Sequence, residues 1–178
     1  MKLLKVVIAI NIVLVSIGLV VFIGASMYAV TTINLLSNSV YYAQRMHHKE
    51  GTEPDLVMLI ENMGSVYTPK IEGIRYDDDG RNFIENSTNL TGKPTSFDEF
   101  AGGYGYSDQN DVTYKFNKNF DLEWAIDKDY KKIDIATIDE TKIKGEIRET
   151  VQPVLDVQSK PLINLQWLFN MKYQDRFN

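Results

Sequence analysis

The first fifty residues carry the simplest hydrophobic pattern in the chain. From Val6 to Val30, 20 of 25 residues are apolar and none is charged. The hydrocarbon core of a bilayer takes about 20 apolar residues as a helix, so the run is long enough to span it with some tilt. A signal peptide is the competing reading, with Gly24 and Ser26 as small residues at a cleavage site. Its apolar stretch is normally only about 7–15 residues, and the greater length here favours a retained anchor. Beyond the run, Ile33, Leu35, Leu36, Val40 and Ala43 continue the apolar positions, and no glycine or proline interrupts them before Gly51. The pattern predicts one helix from about Lys5 to about His48, roughly 65 Å long at 1.5 Å per residue. Gly51, Thr52 and Pro54 end it. Within it, Asn11, Gly18, Ala25, Thr32 and Ser39 recur every seven residues, all small or polar. A seven-residue repeat keeps one face aligned between wrapped helices, and small residues let the backbones approach. The stripe is a candidate helix-docking face, with Asn11 its strongest element, because a side-chain amide in lipid needs a partner.

After Gly51 the periods change repeatedly. Pro54 to Val66 reads as a short helix, with Leu56, Leu59, Ile60 and Met63 on one face and Asp55 at the positive end. Lys70 to Tyr76 and Arg81 to Glu85 read as strands joined by a turn at Asp77-Asp78-Asp79-Gly80. Counting back from Gly80 places Arg75 at the first ligand position of an EF-hand loop, which excludes that motif. Asn86 to Asp111 is polar and glycine-rich. It contains two formal glycosylation acceptors, Asn86-Ser87-Thr88 and Asn89-Leu90-Thr91, and reads as a long loop presenting Tyr104 and Tyr106 for contact. From Val112 to Asp127 apolar and polar residues alternate, Ala125 being the one exception. This predicts an antiparallel hairpin turning at Asn117-Lys118-Asn119, with Trp124 and Ile126 on the inner face. Lys131 to Thr137 adds a third strand. Asp139 to Thr150 reads as a helix capped by Asp139, striped by Ile143, Ile147 and Val151, and ended by Pro153. Ile163, Leu165, Trp167, Phe169, Met171 and Tyr173 alternate with polar residues, Leu168 being the exception, and predict a last strand, with Trp167 and Phe169 as candidate partner contacts at a sheet edge.

The fold class that follows is α+β: a long N-terminal transmembrane helix, then a mainly antiparallel sheet domain with two short helices. Residues 1–5 would be cytoplasmic, 6–30 the span, 31–50 a helical extension or stalk, and 51–178 an extracytoplasmic domain. Charge supplies the orientation. Lys2 and Lys5 precede the span, no acidic residue lies in 1–49, and the residues from 45 on carry 17 basic against 24 acidic side chains, or −7. The positive-inside bias then places the body outside a plasma or inner membrane, in a single pass. An acidic body also makes nucleic acid an improbable partner.

The chemistry is sparse. There is no cysteine, which removes thiol catalysis, disulfides and thiolate metal sites. The two histidines, His47 and His48, are helix neighbours about 100° apart and form no chelating pair. Asp98, Glu99, Asp121, Glu123, Asp127 and Asp129 read as solvated surface charge. No catalytic constellation, metal or cofactor is expected.

A long N-terminal helix followed by an antiparallel sheet is similar in architecture to type IV pilins and pseudopilins. Lys5-Val6-Val7-Ile8-Ala9-Ile10 lacks both the glycine and the acidic residue of their export motif. The layout also resembles extracytoplasmic sensor domains, which normally re-enter the membrane, whereas about five residues here would lie inside. The leading expectation is a non-enzymatic subunit of a cell-envelope complex, docking through its membrane helix to other membrane subunits or to itself. A ligand-sensing module, a pilin-like subunit and a holin-like membrane protein are the alternatives.

Overall fold

A computed structural model describes residues 2–77, 83–86 and 103–178. The protein is α+β, with a long apolar N-terminal helix, a largely antiparallel sheet and helices packed on it. Helix α1 spans Lys2–Ser37, about 54 Å at 1.5 Å per residue. Short α2 spans Ser39–Ala43 and α3 spans Pro54–Glu61. Strands β1 (Ile74–Asp77), β2 (Phe83–Asn86), β3 (Tyr104–Ser107), β4 (Thr113–Phe116), β5 (Leu122–Ile126) and β6 (Lys132–Ile133) follow, then α4 (Glu140–Asp156) and α5 (Gln166–Phe177).

The expected single helix to His48 is broken at Asn38. Ser37 Oγ and Asn38 Nδ2 both donate to carbonyls one turn back, Ile33 at 2.7 Å and Asn34 at 2.9 Å. Such side chains compete with the helical ladder, and Asn38 sits at φ −112°, ψ 18°. The expected 31–50 stalk packs into the domain on both sides of the break. Leu35, Val40, Tyr41, Tyr42, Ala43 and Met46 are core residues of the domain. Helix α3 is buried on every side from Pro54 to Ile60, rather than along one face.

The described strands run β1-β2-β3-β4-β5-β6, antiparallel except for β2 with β3. One register row crosses all of them: Tyr76, Ile84, Tyr106, Tyr114, Ala125 and Ile133. Residues in register share a face, and this face meets the helices. Two expectations are corrected here. Tyr104 to Ser107 is a central strand, not a loop. The 112–127 hairpin exists, but a bulge at Lys115/Phe116 pairs Phe116 with Leu122 and Lys115 with Trp124. A one-residue slip exchanges the faces. Ala125 therefore faces the core, while Trp124 and Ile126 lie on the other side.

Three successive hairpins close with the same turn. Asp108, Asn117 and Asp127 each accept two backbone N–H bonds through Oδ1. Three residues on, Asp111, Phe120 and Tyr130 take positive φ of 60°, 67° and 61°. The side-chain acceptor holds a left-handed residue that would cost about 1–2 kcal/mol unaided. After β6, which is only two residues of the expected third strand, Asp134 caps a 3-10 turn at Ile135–Thr137.

Helix α4 is capped by Asp139 as expected, and the Glu140–Lys144 pair closes at 2.7 Å. It does not end at Pro153. The ring removes one N–H bond on an exposed side, while Val151, Val154 and Leu155 remain fully or nearly fully buried and carry the helix through to Asp156. The last segment is helix, not strand, and with α2 split off at Asn38 four shorter α-helices follow α1 among the described residues instead of two. The Asp77–Gly80 turn lies mainly, and the Asn89 acceptor, Asp98 and Glu99 lie wholly, outside the described residues. So does all but the first residue of the Asn86 acceptor.

Candidate functional site

Among the described residues, α1 is the one helix long and apolar enough to cross a membrane, over Ile10–Ser37. Every residue from Ile10 to Val30 is exposed. Asn11, Gly18 and Ala25 lie on this bare length, and a methyl group added at Gly18 would meet no atom within 4 Å. Thr32 is half-buried at the foot of the same stripe. Ser39 does not belong to it, because it follows the break and is buried in α2.

The foot of α1 is held by a polar clasp. Tyr42, fully buried, points its hydroxyl back along the chain. It donates to Asn34 Oδ1 at 2.7 Å, with Ile163 O as a second acceptor at 3.2 Å, and accepts from Leu165 N–H at 3.0 Å. Asn34 Nδ2 donates to Ile163 O at 3.1 Å, and Gln166 Nε2 to Tyr42 O at 2.8 Å. One phenol thus ties α1, α2 and the start of α5 together. A tyrosine hydroxyl has one donor and spare acceptor capacity, and both are used. Its ring packs on Phe169, centroids 5.4 Å apart, and Lys49 N–H donates to Phe177 O at 2.7 Å at the far end of α5.

Three of the four candidate contact residues are corrected. Tyr104, Tyr106 and Phe169 are inside the core, at 2%, 1% and 0% exposure, and only Trp167 is exposed, at 66%. The tyrosines are sheet residues whose hydroxyls reach the helices. Tyr104 donates to Glu61 Oε1 at 2.5 Å, and the same carboxylate holds Arg176 through two bonds of 2.8 and 2.9 Å. Tyr106 donates to Glu146 at 2.8 Å. Arg148 of α4 binds Asp55 and Glu53 at the head of α3. Burial opposes its charge, and the two carboxylates outweigh that and hold its pKa above the ordinary value. Tyr114, Phe116 and Phe120 pack beside Tyr104 and Tyr106 in the same core.

Burial pushes the pKa of Tyr76 and of Tyr106 up to about 12, and those of Tyr104 and Tyr114 higher still, the neighbouring carboxylates adding to the effect for the last two. A native pKa raised above the unfolded value means that the native state holds its protons longer. The stabilisation is complete below about pH 10 and is lost as pH rises through 10 to 12. The thermal midpoint should stay level to pH 10 and then fall steeply, together with cooperative tyrosinate absorbance at 295 nm. Tyr76, Tyr104, Tyr106 and Tyr114 ionising only on unfolding is the expected signature; titration of these four near pH 10 in the folded state would contradict it.

Among the described residues, no group of three or more His, Asp or Glu side chains is placed to hold a metal. His48 Nδ1 lies 3.1 Å from Lys49 O and 3.2 Å from Thr52 Oγ1, a local contact in an exposed bend. Asp121 and Asp129 are exposed, and Glu123 pairs with Lys115 at 3.6 Å. No protein-family model matches the chain, and no curated protein or solved structure matches it significantly.

Proposed function

We propose that the protein is a single-pass, membrane-anchored, non-enzymatic subunit of a cell-envelope complex. In this reading α1 spans the plasma or inner membrane with Lys2 and Lys5 on the cytoplasmic side, and the α+β domain lies outside. The helix both anchors and docks, against another membrane subunit or a second copy. The observation that carries the reading is the bare length of α1. A run of apolar side chains, exposed from Ile10 to Val30, leads through a bonded clasp into a packed domain. Lipid covers most of that surface, and the Asn11–Gly18–Ala25 stripe is the part suited to another helix.

Replacing Asn11 and Gly18 together by leucine keeps the helix apolar and fills the stripe. The variant should still fractionate with membranes and unfold at the unchanged temperature, yet lose most of the protein that co-purifies with the native chain in mild detergent. Co-purification equal to that of the native chain would sink the docking role. Loss of membrane fractionation on removal of residues 2–30, with a native fold retained, is the matching check on the anchor.

A further inference from the structure

Helix α5 buries one side only. Phe169 and Phe177 are in the core and Leu165 and Tyr173 are half-buried, while Trp167 and Met171, one turn apart on the opposite side, are 66% and 70% exposed. The turn leading into α5 adds Leu162, exposed as fully as in an open chain, and Ile163. Isolated exposed apolar residues are ordinary; these four lie on consecutive turns of one short segment. Their place is fixed by the clasp, since Ile163 O accepts from Asn34. Asn34 stands four residues past Val30, about 6 Å along the helix axis, and its neighbour Ile33 is exposed as well. With α1 spanning the hydrocarbon core, that depth is the headgroup layer, where tryptophan concentrates in membrane proteins. Charge agrees. The domain is acidic, yet no acidic residue occurs from Val157 to Gln174, where Lys160 and Lys172 are both exposed, nor anywhere before Glu50, where Arg45 is exposed. An acid-free, lysine-flanked apolar edge suits anionic headgroups.

We infer that Leu162, Ile163 and Trp167, with Met171 at the outer margin, form a second membrane contact that seats the domain on the lipid surface beside the exit of α1. The inference rests on α1 being a span. It fixes the tilt of the domain, and of α1 clasped to it, on the bilayer.

The test uses the full chain with Trp124→Phe, leaving Trp167 as the sole tryptophan, reconstituted without other proteins into phosphatidylcholine–phosphatidylglycerol vesicles. Lipids brominated near the headgroup end of the acyl chain should quench the Trp167 emission strongly, as for an interfacial tryptophan, and aqueous iodide should quench little. Flotation of the same vesicles after carbonate washing reports whether α1 is inserted. Inserted chain with iodide-accessible, bromine-insensitive Trp167 overturns the seating and leaves the anchor standing. Inserted chain with Trp167 shielded from both quenchers overturns it in favour of a protein-covered face. Chain that fails to float overturns the anchor, and the seating with it. In a second variant, Leu162→Asn with Ile163→Asn, the bromine quenching should fall and the iodide quenching rise while the chain remains inserted; unchanged quenching also counts against the contact.

Discussion

Phe169→Ala should lower the unfolding free energy of the detergent-solubilised chain by about 3–5 kcal/mol, the usual cost of emptying a phenylalanine site in a core. Phe169 has no exposed surface, and its ring lies 5.4 Å from that of Tyr42 and 4.7 Å from that of Tyr173. It is an apolar link between α5 and the helix that carries Tyr42. Trp167→Ala, two residues earlier on the exposed side, should change the same quantity by less than about 0.5 kcal/mol. The pair discriminates between conformations, because residues two apart share a face in a strand and oppose each other in a helix. Similar losses for both substitutions, read from denaturant unfolding followed by circular dichroism, would favour the strand. Phe169→Ala should also loosen the Tyr42 clasp, so that protease sites near Asn164 open before the sheet does.

That pair also shows why the C-terminal segment misleads a reader of the sequence. Leu165, Phe169, Tyr173 and Phe177 are spaced four apart and are the buried or half-buried side. Ile163, Trp167 and Met171 are also four apart and are the exposed side. Two helical stripes offset by two residues produce period-two alternation, broken here only by Leu168, so periodicity alone does not separate them. Composition could have done so. From Asn164 to Asn178 there is no valine, isoleucine or threonine, and strands favour those β-branched residues. Elsewhere, one residue hid the geometry. Ala125 looked like a flaw in the alternation of the 112–127 hairpin, but it marks the bulge, and the large residues beside it turn away from the core. The Asn38 break was written in the pair Ser37-Asn38, whose side chains bond backbone carbonyls one turn back. The β3 strand was concealed by its glycines, which read as a loop until Gly103 and Gly105 are seen beside Lys115. What was plain in the sequence was the apolar length of α1, the β1–β2 and β4–β5 hairpins, the Asp139 cap and the acid-free N-terminal region. Those are local patterns. The clasp joins residues about 120 positions apart, and no short-range signal records it.

Gly103→Ala should be strongly destabilising for a change of one methyl group. A Cβ there would lie 2.0 Å from the backbone oxygen of Phe116, 2.7 Å from Lys115 Cε and 2.8 Å from its Nζ. The lysine end can swing aside, but the carbonyl is at the end of the β3–β4 register, where Tyr104 pairs with Phe116. Relief requires the two strands to part where the bulge already weakens their neighbour. The cost should reach about 3 kcal/mol, the top of the usual range for overpacking, and would show as a lower unfolding midpoint with an unchanged denaturant slope. Gly145→Ala supplies the opposite sign from the same chemical change. Gly145 is an exposed position inside α4, with nothing within 4 Å of an added methyl, so alanine should gain about 0.8–1 kcal/mol from helix propensity. If both substitutions were neutral, β3 would not be held against β4 as described. The stack of Tyr104 and Tyr106 under α3 and α4 would then lose its footing, and with it the rigid platform on which α5 presents Trp167.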